Sequence, residues 1–339
     1  MTQMNKRTTL TAFCLLIIIA SCTSKKEGII MTINGPVSAS DMGITLSHEH
    51  ILVDFIGADS ISDQRWDKSR VSKIVLPYLK QIKKLGCKTF VDCTPAYLGR
   101  DPLLLKSVSD SSGLNILTNT GYYGAGNDKY LPGFAFKETA DQLASRWTNE
   151  WEKGIDGSGI KPGFIKIGVG SGSLSDLHKK LVIAAARTHM KTGLTIASHT
   201  GPSIPAFEEI EILKNEGVSP EAFIWVHAQV EKDISMHIRA AKMGAWISLD
   251  GINDNNLEDY IRMLKNMKES CLLDKVLLSH DAGWYHPGEE NGGQYRGYAT
   301  LFEKLIPQLQ KENFSEKEIH QLLVLNPAEA FTIRVRKAN

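Results

Sequence analysis

The stretch Thr45-Leu46-Ser47-His48-Glu49-His50 decides how this chain is read, because it sets two imidazoles two residues apart at the end of an apolar, strand-like run. Successive side chains on a strand point to opposite faces, so His48 and His50 share one face, roughly 6 to 7 Å apart, while Glu49 points away. Two neutral imidazoles so placed can reach one divalent ion. Taken alone, the pair reads equally well as two ordinary loop histidines. What tips the balance lies on either side of it.

Upstream, Lys6 and Arg7 followed by the apolar run Leu10 to Ala20 form a targeting signal whose core is too short to span a bilayer. Ile19-Ala20-Ser21-Cys22 resembles the bacterial lipoprotein signal. The resemblance implies removal of residues 1–21, lipidation of Cys22, and a polar tether over 22–28 that anchors the protein to a membrane of the cell envelope. Plain secretion and an uncleaved anchor are the alternatives. Removing Lys6 and Arg7 from 39 basic residues leaves 37 against 38 acidic ones, with the signs interspersed. There is no basic stripe, so the sequence offers nothing to a nucleic-acid partner. Of five cysteines, Cys14 falls in the signal and Cys22 carries the lipid, which leaves Cys87, Cys93 and Cys271, too few for a disulfide framework. Cys87 and Cys93 bracket one strand and would stand roughly 20 Å apart, so all three read as buried thiols.

Downstream, brief apolar runs alternate with amphipathic stretches. A short hairpin is expected over Ile29 to Val37, turning at Asn34-Gly35-Pro36. Eight strands are expected at Gly43 to Ser47, Lys88 to Cys93, Asn115 to Thr120, Gly163 to Gly168, Leu194 to Ser198, Phe223 to Val226, Ala245 to Leu249 and Lys275 to Ser279. Helical patterns fall between them, among others Val71 to Leu85, Thr139 to Trp151, Ser175 to Lys191, Ala206 to Asn215, Lys232 to Met243 and Leu257 to Lys268. Gly86, Gly193, Gly217 and Gly244 act as helix stops. Eight βα units over some 250 residues predict an α/β fold of the TIM (β/α)8 barrel type, one domain over 29–336 behind a short N-terminal hairpin. No glycine-rich phosphate fingerprint opens any helix, which disfavours a nucleotide fold.

Four further runs end in a ligand-type residue: Phe164-Ile165-Lys166, Ala197-Ser198-His199, Trp225-Val226-His227 and Ser279-His280-Asp281. Each closes a strand at its C-terminal end, where barrel active sites lie, and the 231 residues from His50 to Asp281 give 33 for each of seven units. His48, His50, His199, His227, Lys166 and Asp281 therefore form a coherent inner shell for two divalent cations. An ammonium cannot ligate a metal, but a buried lysine forced neutral can react with CO2 to give a carbamate, whose two oxygens can bridge two ions. Lys166 by itself reads more readily as a salt-bridged residue at the core edge.

Ser47-His48-Glu49-His50, Phe164-Ile165-Lys166-Ile167-Gly168, Ser198-His199-Thr200 and Asp281, with Asn326-Pro327-Ala328, together resemble the phosphotriesterase family of the amidohydrolase superfamily. The likeness extends to Ile33-Asn34-Gly35-Pro36, Val91-Asp92-Cys93-Thr94 and Gly99-Arg100-Asp101, and so covers nearly the whole mature chain. It implies a binuclear centre, usually of zinc. One ion would be held by His48, His50 and Asp281 and the other by His199 and His227, with N6-carboxylated Lys166 and a hydroxide bridging the pair. It also implies that Asp281 shuttles the proton to the leaving group in hydrolysis of an ester-like bond.

The chain departs from the phosphotriesterases in two loops. Ala228-Gln229-Val230-Glu231 and Asp250-Gly251-Ile252 stand where that family's proton relay would be, and Glu231 is a poor substitute for it. Lactones and related carboxylic esters are therefore the expected substrates, with phosphotriesters as a side activity. Pocket candidates come from the loops that follow the strands: Tyr97, Arg100, Tyr122, Tyr123, Gln229, Asp250, and from the lid-like loop 282–297 Trp284, Tyr285, His286, Glu289, Tyr295 and Arg296. Arg296 could grip a phosphate on a sugar lactone. His178, His189, His237 and His320 fall in helical stretches and read as packing or surface residues, and His280 should face away from Asp281. A metal-containing binding lipoprotein of the same fold is the alternative to an enzyme, and amide or phosphodiester hydrolysis on the same centre is a third reading. The oligomeric state stays open, with a homodimer among the options.

Overall fold

The computed structural model describes residues 28–338, so the signal segment, Cys22 and residues 23–27 of the tether lie outside the described residues. The expected lead is a hairpin, Ile29–Thr32 (β1) against Gly35–Ser38 (β2), antiparallel with Ile30 opposite Val37. Behind it, each expected apolar run forms a parallel strand. These are Thr45–Glu49 (β3), Thr89–Asp92 (β4), Asn115–Leu117 (β5) and Asn119–Thr120 (β6), which are one strand interrupted at Thr118, then Phe164–Gly168 (β7), Ile196–His199 (β8), Phe223–Val226 (β9), Trp246–Leu249 (β10) and Val276–Leu278 (β11). The order runs β3-β4-β5 and then β6 to β11 in sequence, which is the TIM barrel the periodicity predicts.

The connecting helices are Lys68–Lys84 (α1), Pro102–Ser112 (α2), Gly133–Lys137 (α3), Ala140–Lys153 (α4), Asp176–Thr192 (α5), Ser203–Asn215 (α6), Ile234–Lys242 (α7) and Leu257–Glu269 (α8), with further helical turns over 301–331. Local chemistry sets their ends. Thr139 and Gln142 form a capping box at α4, and Gly193 leaves α5 at φ +76° with its N–H on the His189 carbonyl at 2.7 Å. Helix α2 is not among the helical patterns named from the sequence. Its start is nonetheless a cap signal, since the Asp101 carboxylate accepts from the Leu104 N–H and Pro102 opens the first turn.

Strand alternation sorts the core into two shells. Val91, Cys93, Leu117, Phe164, Ala197, Ile224, Val226, Trp246 and Leu277 fill the barrel interior, floored by Ile30 and Met42 from the hairpin side and by Ala330 and Phe331 from the C-terminal turns. Leu46, Phe90, Ile165, Ile167, Trp225 and Ile247 point outward and pack with α1 residues such as Val71, Val75 and Leu79 and with the other helices. Cys87 and Cys93 are buried thiols as expected; Cys271 is exposed, because it sits at φ +57° in the turn that leaves α8 rather than on a packed face.

The barrel closes where its last strand meets its first, and Glu49 gathers the most hydrogen bonds at that joint, beside the His50 N–H on the Ala282 carbonyl at 3.0 Å. Its buried carboxylate accepts four hydrogen bonds from the end of β11. Oε1 takes the Ser279 hydroxyl at 2.7 Å, the His280 N–H at 2.9 Å and His280 Nδ1 at 2.6 Å, and Oε2 takes the Ala282 N–H at 2.9 Å. The Asp281 N–H reaches the His48 carbonyl at 3.1 Å alongside. His280 faces outward, as expected, and its Nε2 accepts the Leu301 N–H at 3.0 Å, so its neutral tautomer donates from Nδ1 to Glu49. Glu49→Ala would strand four buried donors and should cost on the order of 3–5 kcal/mol. Urea denaturation followed by circular dichroism measures it, and a loss below about 1 kcal/mol would show that the joint is held elsewhere.

Candidate active site

At the C-terminal end of the strands, His48, His50, Lys166, His199, His227 and Asp281 line one pocket. Lys166 and His199 arrive by simple alternation. On β7, Phe164 fills the interior, Ile165 points out and Lys166 points in; on β8, Ala197 points in, Ser198 out and His199 in. The other four pocket residues, His48, His50, His227 and Asp281, need departures from alternation. Leu46 and Glu49 pair with Phe90 and Asp92 of β4, so β3 carries one extra residue, and this bulge turns His48 and His50 inward from a strand whose Leu46 packs outward. His227 follows the inward Val226 and would point out, but its left-handed φ of +61° brings it in. Asp281, at φ +50°, has the same conformation. Both are costly for a non-glycine residue and are held by the surrounding barrel.

Behind the imidazoles lies a second set of partners. Asp250, fully buried, accepts His48 Nδ1 at 3.1 Å, His227 Nδ1 at 2.7 Å, the His227 N–H at 3.1 Å, the Ser248 hydroxyl at 2.7 Å and the Gln229 amide at 3.0 Å. His50 Nδ1 meets the Thr94 hydroxyl at 2.8 Å, and that hydroxyl donates to the Leu52 carbonyl. An ionised carboxylate, or a hydroxyl whose hydrogen is committed elsewhere, can only accept, so each of these rings is protonated at Nδ1 and presents a bare Nε2 to the pocket. His48, His227 and Asp250 also bring three donor atoms close together, but the hydrogen bonds just given account for that cluster.

The inward atoms pose a different problem. His50 Nε2 lies 3.0 Å from Asp281 Oδ1, and His48 Nε2 lies 3.7 Å from the same oxygen. Burial, opposed by Asp250, holds His48 down at about 4, and burial together with His227 holds His199 well below the ordinary imidazole value, so both are neutral at neutral pH. For His227 burial is outweighed by Asp250, which raises it. Burial also works against Asp281, yet His50 at 3.0 Å and the neighbouring imidazoles outweigh it and keep its carboxylate well below the usual range. Lone pairs of His48, His50 and Asp281 thus converge within 4.8 Å of one another, an arrangement that a divalent cation stabilises. Lys166, 2 % exposed, has its amine pulled down by burial, and no carboxylate of the described residues pairs with it.

The sequence that defines the phosphotriesterase family matches residues 28–331. The chain belongs to the phosphotriesterase family. It is 30% identical over 299 residues to the phosphotriesterase homology protein of Escherichia coli K12, which covers 87% of this chain and 100% of that protein. It is 28% identical over 332 residues to a phospho-furanose lactonase of Mycoplasmopsis agalactiae, over 90% of this chain and 91% of the relative. The solved organophosphorus hydrolase of Deinococcus radiodurans superposes with a TM-score of 0.81 at 24% identity, over 90% of this chain and 97% of that one, which is a likeness of fold. As a member of this family the chain is a hydrolase.

The remaining pocket candidates divide. Tyr123 and Trp284 line the pocket with Val53, Phe55, Pro95 and Leu98; the last four were not among the residues singled out from the sequence. Tyr123 meets His199 and Trp284 meets His50 edge to face, at centroid distances of 5.0 and 5.9 Å. His286 packs behind, against Phe55 and Trp284. Arg296 lies over the Trp284 ring and hydrogen bonds to the Asp281 carbonyl at the rim. Gln229 and Asp250 are locked behind the histidines and do not line the pocket. Glu231 spends its carboxylate on the Ser203 and Asp233 N–H groups. Tyr97, Arg100 and Tyr122 line a separate cavity. The loop 282–297 is strapped down at its base, with Val53 N–H on the Tyr285 carbonyl at 3.0 Å and Tyr285 N–H on the Ile51 carbonyl at 3.1 Å.

Two outcomes follow. Asp250→Asn puts an amide N–H where an acceptor is required, so metal affinity should fall about 10- to 100-fold, measured by competition with a chromophoric chelator. The second concerns Glu209, which takes the hydroxyls of Ser198 and Thr200 at 2.5 and 2.6 Å on either side of His199. Burial raises it to about 8. The folded state then holds a proton that the unfolded chain releases near its ordinary value of 4.5, so stability falls as pH rises from about 4.5 through 8. In Glu209→Gln this part of the decline should vanish, flattening the dependence of the melting temperature on pH; an unchanged slope would refute the assignment.

Proposed function

We propose that this protein is a binuclear, zinc-type hydrolase of small lactones or related carboxylic esters, with phosphotriesters as a minor activity. The observation that carries the choice of substrate is the pocket itself: about 110 Å³, walled by Val53, Phe55, Leu98, Tyr123 and Trp284 around the ligand cluster. It is smaller than the roughly 300–1,000 Å³ of drug-sized sites and suits a compact, uncharged acyl group better than a phosphorus centre carrying three substituents. The locking of Asp250 and Glu231 also removes the side chains that a longer proton relay would need, and a relative named as a lactonase supports the same choice.

His48, His50 and Asp281 would hold one cation, His199 and His227 the other, and carboxylated Lys166 would span them. Two divalent cations so held supply a water of lowered pKa and a polarised carbonyl. The chain does the rest. Asp250 and Thr94 fix the imidazoles in the ligating tautomer, Asp281 takes the proton of the attacking water and hands it to the leaving alkoxide, and the aromatic wall keeps bulk solvent away. Arg296 at the rim meets any anionic tail on the alcohol side. With Cys22 lipidated, the reaction would take place on a membrane of the cell envelope. A non-catalytic binding role is disfavoured because Lys166 and Asp281 are both present and both face the pocket.

Metal-loaded soluble protein (residues 23–339) should release acid from one class of lactone in a panel that also holds carboxylic esters, an aryl phosphotriester and an N-acyl amide. Asp281→Asn should lower the rate at least about 100-fold. Turnover confined to the amide or the phosphotriester would overturn the substrate assignment, and two bound metals with no turnover anywhere would favour a binding role. Protein prepared in 13C-bicarbonate should show a carbamate carbon resonance that is lost in Lys166→Ala together with part of the bound metal. Retention of both in that variant would remove the bridging role.

A further inference from the structure

Beside the metal pocket, across a shared wall, lies a second cavity of about 520 Å³. Two segments make the wall: residues 95–100, which follow β4, and Tyr122-Tyr123, which follow β6, joined by a parallel bridge between Ala96 and Tyr122. Neighbours along each segment face opposite ways. Pro95, Leu98 and Tyr123 line the metal pocket, whereas Ala96, Tyr97, Arg100 and Tyr122 line the second cavity. Helix α4 and the turn after it form the far side.

The lining carries unspent polar capacity. Arg100, 3 % exposed, donates through its two terminal nitrogens to Glu150 at 2.8 and 2.7 Å, but its Nε, also buried, has no hydrogen-bond partner among the described residues. A buried guanidinium N–H without an acceptor is costly and calls for one. Tyr122 is buried yet its hydroxyl, like that of Tyr97, bonds to no described residue; the two rings meet edge to face at 5.6 Å. Tyr97 is held at φ +64°, a cost the fold bears to turn this side chain into the cavity. Among charged groups, Glu150 and Asp156 both pair with Arg100, and Arg146 is held by Glu138 beside the cavity, which leaves Lys153 as the one cation of the lining without a carboxylate partner among the described residues. Lys153 is exposed and forms no ion pair with a described residue.

We infer that this cavity is a second binding site, for a small hydroxylated monocarboxylate, and that its occupancy is transmitted to the metal pocket through Tyr122-Tyr123 and the 95–100 segment. The one unpaired cation, Lys153, matches one carboxylate better than a phosphate dianion. Two phenols and the Asn149 amide offer donors and acceptors for hydroxyl groups, and the tyrosine rings cover the carbon chain. The two cavities are separate chambers, so binding here does not require the metal ligands.

Gluconate serves as the probe, titrated by calorimetry into the metal-loaded protein and into protein stripped with a chelator. Saturable binding is expected in both, weakened at least fivefold by Lys153→Ala and by Tyr122→Phe, neither of which should move the melting temperature. In 3-fluorotyrosine-labelled protein the Tyr123 resonance, assigned with Tyr123→Phe, should shift on saturation. Absence of saturable binding, affinity unchanged in both variants, or binding lost on metal removal would each overturn the site. Inorganic phosphate binding as tightly as gluconate would overturn the monocarboxylate assignment, and a stationary Tyr123 resonance at saturation would overturn the coupling.

Discussion

The carboxylate of Glu49 is the constraint on which the rest of this molecule depends. It sits between two pocket histidines in sequence, points to the opposite side, and gathers four donors from the end of the last barrel strand. A parallel barrel has no free edge only if its first and last strands are joined, and here a side chain at the level of the pocket histidines reinforces the backbone bonds of Asp281 N–H to the His48 carbonyl and of His50 N–H to the Ala282 carbonyl. Closure and site assembly are therefore one event: the bonds that bring β11 against β3 also set Asp281 opposite His48 and His50. Removing the carboxylate would open the seam at the point where the lone pairs converge.

The cluster of pocket residues is built from a regular frame broken at chosen places. Alternation on β7 and β8 delivers Lys166 and His199 without strain. The bulge in β3 and the left-handed backbone at His227 and Asp281 deliver the others. Asp250 then couples two of these ligands through one carboxylate, so His48 and His227 share an orientation and a tautomer. Backbone strain at these positions is tolerable because the strands they follow are paired with neighbours and the core beneath is buried.

Function is partitioned across one wall. Consecutive residues on the 95–100 segment and at Tyr122-Tyr123 look into two chambers of different character, one small and aromatic around the ligands, the other larger and rich in unpaired polar groups. Both segments are short and bridged to each other, and that bridge is the inferred route of coupling between the two chambers. Two adjacent tyrosines in the sequence thus serve two sites.

The sequence by itself determined the eight parallel strands, their order, and the six residues that converge. Strand periodicity and the placement of His, Lys and Asp at strand ends are local properties that survive in one dimension. It also placed Glu49 and His280 away from the pocket by the same rule. Only the tertiary structure decided how His48 and His227 enter the pocket, because a bulge is a relation between two strands and a left-handed residue is paid for by its surroundings. Only it showed that Asp250 stands behind the histidines rather than among the substrate contacts, although that residue ends a strand as the ligands do. And only it separated Tyr97, Arg100 and Tyr122 from Tyr123 and Trp284, since which side of a loop a residue faces is fixed by what packs against it. Loops carry no periodicity from which that could be read.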